Sequence, residues 1–204
     1  MLQTNRSFLA SALFCSLVLP AVCVTARGQM TLHADAKPSL NAALVLTPEF
    51  CATKTKKGTW GINRETFPIG KAACEELEPA LKGVFPGLTH VEAAASSGDA
   101  QVVLVPRFVD VGATQTLGAF SNRELVVLVE WTVKDKAGKT VWVETVQGSA
   151  KHHMGNAFTH GKNLKLIVRD SVKDMAEQSA SKMSAAPELR KLANGTSNSS
   201  ADKD

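Results

Sequence analysis

The chain has 204 residues, 44% of them hydrophobic and 21% charged. That suits one domain of about 150 residues with tails and excludes global disorder. The net charge is only +4, with no Tyr, three Trp and eight Phe. No basic cluster accompanies that charge, which speaks against a nucleic-acid surface.

The first 26 residues predict a secretory signal peptide. Arg6 precedes an apolar run from Ser7 to Val24, and Val24-Thr25-Ala26 supplies the small residues of a cleavage site. Cleavage between Ala26 and Arg27 is therefore expected. Leu19 to Cys23 offers a second route, lipidation at Cys23, although Val22 and Pro20 fit a lipobox poorly. No other apolar run approaches a membrane span, so none is expected in the mature chain.

Loss of the signal removes Cys15 and Cys23 and leaves Cys51 and Cys74. An even pair in an oxidising compartment either forms a disulfide or remains as two thiols. The bridge is expected, because Cys51 follows the first strand and Cys74 lies early in the first helix. By the chain-entropy relation it contributes roughly 3 kcal/mol.

Residues 27–40 have no hydrophobic period and read as a flexible leader. Ala42 to Thr47 is a buried strand ended by Pro48, and Lys54 to Gly58 is a solvated basic loop. Ile69, Ala73, Leu77, Leu81 and Val84 share one face of a helix over Ile69 to Phe85, with Pro79 expected to kink it. Leu88 to Ala94 is a weak strand. Gln101 to Val111 is a strong one, in which Pro106 implies an edge position or a bulge.

Leu125, Val127, Val129, Trp131 and Val133 form one apolar strand face, while Glu130 shares the other with Val126 and Leu128. A turn at Lys134 to Lys139 joins this strand to Thr140 to Gly148 as a hairpin. Lys151 to Gly161 reads as a loop carrying His152, His153 and His160. Leu164, Ile167, Val168, Ser171, Val172, Met175, Ser179 and Met183 mark a helix over Asn163 to Met183, stopped by Pro187. Residues 187–204 are polar and read as a disordered tail.

The expected domain spans 41–186. It is an α+β two-layer sandwich, a mostly antiparallel sheet of about five strands with two helices over one face.

No catalytic set assembles along the chain, and no cofactor is assigned. Ala137-Gly138-Lys139-Thr140 has the ending of a phosphate loop, but Val133 stands where its first Gly belongs and a strand follows it. There is no GxSxG elbow. His152, His153 and His160 are the candidate metal ligands, without a nearby carboxylate in sequence to orient them.

The wording of the second half resembles a known group. Gly98 to Pro106 is followed by Val129-Glu130-Trp131-Thr132-Val133-Lys134-Asp135 and a Gly138-Lys139 turn. Val141 to Thr145, Gly148-Ser149-Ala150 and a terminal amphipathic helix complete the pattern. From Ala42 to Met183 it resembles small envelope lipoproteins and periplasmic accessory domains of Gram-negative bacteria. That group includes auxiliary components of lipid-transport systems and activators of cell-wall synthases. The resemblance implies a non-enzymatic protein that binds an envelope protein or a membrane-associated complex, in the periplasm or secreted, and not nucleic acid. The alternative is a small exported hydrolase or metal-dependent enzyme using His152, His153 and His160.

Overall fold

The computed structural model describes residues 40–59, 63–115, 122–153 and 160–199. The expected signal at 1–26, with Cys23 and the Ala26–Arg27 cleavage point, and the leader up to 39 lie outside the described residues.

Ala42–Val45 forms β1, buried at every position. Pro48–Cys51 forms a short helix, α1, whose preceding Thr47 accepts from the Phe50 N–H at 3.1 Å through its Oγ1. β2 (Thr55–Thr59) and β3 (Asn63–Phe67) pair antiparallel as a separate small sheet. The basic loop expected at 54–58 is therefore mostly strand. Its polar residues pair through the backbone, which leaves no hydrophobic period to read.

Helix α2 spans Ile69–Lys82 and runs through Pro79. Pro79 removes the hydrogen bond to the Glu75 carbonyl, and both residues lie on the exposed side, where water can replace it. β4 is Thr89–Val91, followed by a single 3-10 turn at Ala94–Ser96. β5 (Val102–Gln115), β6 (Asn122–Asp135) and β7 (Thr140–His153) are each 14 residues long. In the β6–β7 turn, Asp135 Oδ1 accepts from the N–H groups of Ala137 and Lys139, both at 2.9 Å, and Gly138 has φ 78°. This is a hairpin turn, as the missing phosphate-loop glycine implies.

The main sheet has the order β4-β1-β5-β6-β7. It is mixed, not mostly antiparallel: β1 runs parallel to both β4 and β5, and only β5-β6-β7 is antiparallel. The reason lies in the connection. α2 carries the chain from β1 to β4, and a strand reached through a helix returns in the same direction. Pro106 sits past the reach of β1, which pairs only with Val102–Leu104, and two residues before the irregularity between Phe108 and Asp110. Both expectations for that proline thus meet in one segment of β5.

α3 spans His160–Ala185 and α4 spans Pro187–Ser199, so the described residues contain four α-helices where two were expected. Pro187 does end α3, but it also starts α4 in the position where a missing N–H costs nothing. Leu189 is fully buried and Ala193 nearly so, four residues apart on one face of α4. This corrects the disordered reading of residues 187–199, whose polar composition hides two anchoring side chains.

The core lies between the sheet and its helices. Leu44, Leu104, the odd-numbered residues from Leu125 to Val133, Val146, Leu77, Leu81, Ile167, Val172 and Met175 belong to one cluster. Trp131 is fully buried, and its Nε1–H donates to Ser179 Oγ at 2.8 Å. Ser179 Oγ in turn donates to the Met175 carbonyl at 2.7 Å. The indole thus buries its area without leaving its polar atom unpaired. α3 meets β7 closely at Gly148, where a Cβ would collide with the Met175 backbone and the Ser171 carbonyl. No described helix is long and apolar enough to cross a membrane.

Candidate functional site

Adjacent residues of a strand face opposite sides, so β7 sends His152 and His153 apart. The loop expected from Lys151 onward is still strand through His153. His152 lies on the helix-covered face, where its Nε2 meets Asp170 Oδ2 of α3 at 2.9 Å. Asp170 is 18 residues away in sequence, so reading along the chain missed the carboxylate that orients this imidazole. His153 offers its backbone carbonyl to Asn163 Nδ2 at 3.0 Å. His160 opens α3, and its side chain lies outside the described residues. No three His, Cys, Asp or Glu side chains gather to hold a metal among the described residues.

His152 belongs to a line of polar side chains at this end of the sheet. Arg123 stands directly opposite it on β6. Arg123 is only 5% exposed, pairs with Glu65 of β3, and lies 6.0 Å from the centre of the Phe67 ring. Burial pulls the Arg123 guanidinium below its ordinary pKa. On the far side of His152, Asp170 Oδ1 accepts from Arg169 Nε and Nη2 at 3.1 and 3.0 Å. The line Glu65–Arg123–His152–Asp170–Arg169 ties the small sheet, the main sheet and α3 together. A signal for it existed in the sequence: Arg123 has the same parity as Leu125 to Val133 and so had to face the covered side.

Cys51 and Cys74 are joined as a disulfide, with Cα atoms 5.8 Å apart. It fastens the end of α1 to α2. Beside it, Gly70 approaches α1 so closely that a Cβ would strike the Phe50 carbonyl.

The opposite face of the sheet is built differently. On β6 it presents Val126, Leu128, Glu130 and Thr132, all half-buried. Glu130 pairs with Arg107 across to β5 at 2.9 Å. Val109 at the β5 irregularity is 47% exposed, and Val143 on β7, opposite Thr132, is 54% exposed. These are the large hydrophobic residues most open to water among the described residues. β7 is the long edge of the sheet, and one of its N–H groups, Ser149, is already taken by Asp174 Oδ2 at 2.8 Å. The even-numbered half of the β6 alternation was legible in sequence. The exposure of Val143 was not, because it depends on which side the helices take.

No protein-family model matches the chain, and no curated protein sequence matches it. Among solved structures, it is similar to a minor lipoprotein from Acinetobacter baumannii, with 14% identity and a TM-score of 0.44 over 72% of this chain and 92% of that one. It is also similar to a protein of the DUF330 family from Xanthomonas campestris, with 5% identity and a TM-score of 0.49 over 73% and 89% of the two chains. A third similar structure is the PelC dodecamer from Paraburkholderia phytofirmans, with 17% identity and a TM-score of 0.39 over 69% and 89%.

Proposed function

We propose that the chain is an exported, non-catalytic envelope accessory domain that holds a protein partner on the open face of its sheet. The observation that carries this reading is the exposure of two large apolar side chains, Val143 beside half-buried Thr132 and Val109 at the β5 irregularity next to Leu128. Exposed apolar side chains on a face that also carries an ion pair have the mixed character of a protein interface. The long β7 edge beside them adds backbone groups that a partner strand can use. Export is supported by the apolar N-terminal run and by the Cys51–Cys74 disulfide, a bond of oxidising compartments.

A photo-crosslinking residue placed at Val143 or Val109 tests the surface. The expected result is the same discrete protein adduct from both positions in intact cells, and none from Lys173 on the exposed side of α3. Adducts of equal yield from all three positions, or from none, would remove the open face as the site. Intact mass of the exported chain tests processing. A mature chain beginning at Arg27 is expected, and a diacylglyceryl group on Cys23 would place the protein among lipid-anchored ones instead.

A further inference from the structure

A groove of about 370 Å³ lies between the first turns of α2 and α3. Its floor is apolar, with Ala72, Leu166 and Val168 along it. Its rim carries four cations, Lys71, Lys162, Lys165 and Arg169.

One carboxylate, Glu75, shares that rim and stands 4.0 Å from Lys71. Arg169 is engaged by Asp170. Lys162 and Lys165 are exposed and have no carboxylate partner among the described residues. Neither helix carries an acidic residue in its first turn, so no carboxylate there offsets the rim cations. Charge and apolar surface therefore meet at one place, on the side of the sheet away from Val109 and Val143.

We propose that this groove binds a single anionic amphiphile, an alkyl chain bearing a phosphate or carboxylate head. The chain lies along Ala72, Leu166 and Val168, and the head sits between Lys162 and Lys165. A bare anion would use the lysines and leave the floor wet; a neutral apolar molecule would fill the floor and leave the cations unanswered. The volume falls at the low end of small-molecule pockets, about 300–1,000 Å³, which suits one alkyl chain and not a peptide helix. The site is separate from the open sheet face and does not depend on it.

Calorimetric titration of the exported chain with dodecyl phosphate, kept below its micelle concentration, tests this. Saturable binding of one molecule per chain is expected. Reversing two rim charges, Lys162→Glu with Lys165→Glu, weakens it about ten-fold, since each exposed charge contributes modestly. Leu166→Gln weakens it through the floor. The pair Lys136→Glu with Lys139→Glu, in the β6–β7 turn, leaves it unchanged. Binding that ignores the rim reversal would place the amphiphile elsewhere and overturn the proposal. So would inorganic phosphate binding as tightly as dodecyl phosphate, which would leave an anion site alone. So would attachment to phosphatidylglycerol vesicles without binding of the single amphiphile, which would make the rim a membrane-contact patch. Because the groove variants leave Val143 intact, the cross-linked adduct reports separately on the protein-binding face.

Discussion

The two faces of the sheet are made from the same strands and do different work. On the covered face, β6 contributes Leu125, Val127, Val129, Trp131 and Val133, all fully buried. On the other face the same strand contributes Val126, Leu128, Glu130 and Thr132, none of them buried to that degree. The covered set is wholly apolar, whereas the other mixes Val126 and Leu128 with Glu130 and Thr132. Helices α2 and α3 make the difference, by bringing a second apolar layer to one side only. Apolar residues on the first face stabilise the fold; on the second they remain available to another molecule.

Substitutions on the covered face should have the largest effects. Trp131→Ala should cost about 3–5 kcal/mol in a urea melt, as expected for a buried aromatic side chain. A neutral result would mean that α3 does not press on this face. Trp131→Phe should cost less, and a part of that cost should vanish when Ser179→Ala accompanies it, because the indole donor and its hydroxyl acceptor are then lost together.

The disulfide comes next. Changing both Cys51 and Cys74 to Ala should lower stability by roughly 3 kcal/mol, from the constraint that the bridge places on the unfolded chain. The oxidised protein should show no free thiol when denatured without reductant. Two reactive thiols in that assay would contradict the bridge.

Gly148→Ala probes the contact between α3 and β7. Its new methyl meets the Met175 and Ser171 backbones, so a loss of about 1–3 kcal/mol is expected from overpacking. The same exchange at Gly112, on the open half of β5, meets nothing closer than Val126 Cβ at 3.9 Å and should be far milder. Smallest of all, Val143→Thr should change stability by less than about 0.5 kcal/mol. If Val143→Thr proved as costly as Gly148→Ala, the open face would belong to the fold after all.

Much of this division was legible in the sequence. The alternation from Leu125 to Val133 located the covered face and its central Trp131, and the stripe from Leu164 to Met183 located the helix above it. The pairing of Cys51 with Cys74 followed from their places after a strand and early in a helix. What escaped depended on contacts distant in sequence or on weak local patterns. β2 and β3 read TKKGT and NRETF, with only Phe67 to bury. The parallel pairing of β1 with β4 required taking the short segment Thr89–Val91 as a full partner strand. α4 is anchored by Leu189 and Ala193 within a stretch whose Asn, Gly and Ser content signals coil. The His152–Asp170 contact joins two elements that only folding brings together.

The open face, and not the covered one, is the surface expected to meet a partner in the envelope. Carbene footprinting of the chain in its native envelope and again after purification measures this directly, because carbenes label valine and leucine as well as polar residues. Val109, Leu128 and Val143 should be shielded in the envelope and labelled in the purified protein, while the outer residues of α3, such as Lys173 and Glu177, label equally in both. Equal labelling of Val109 and Val143 in the two states, with shielding elsewhere or nowhere, would contradict the account.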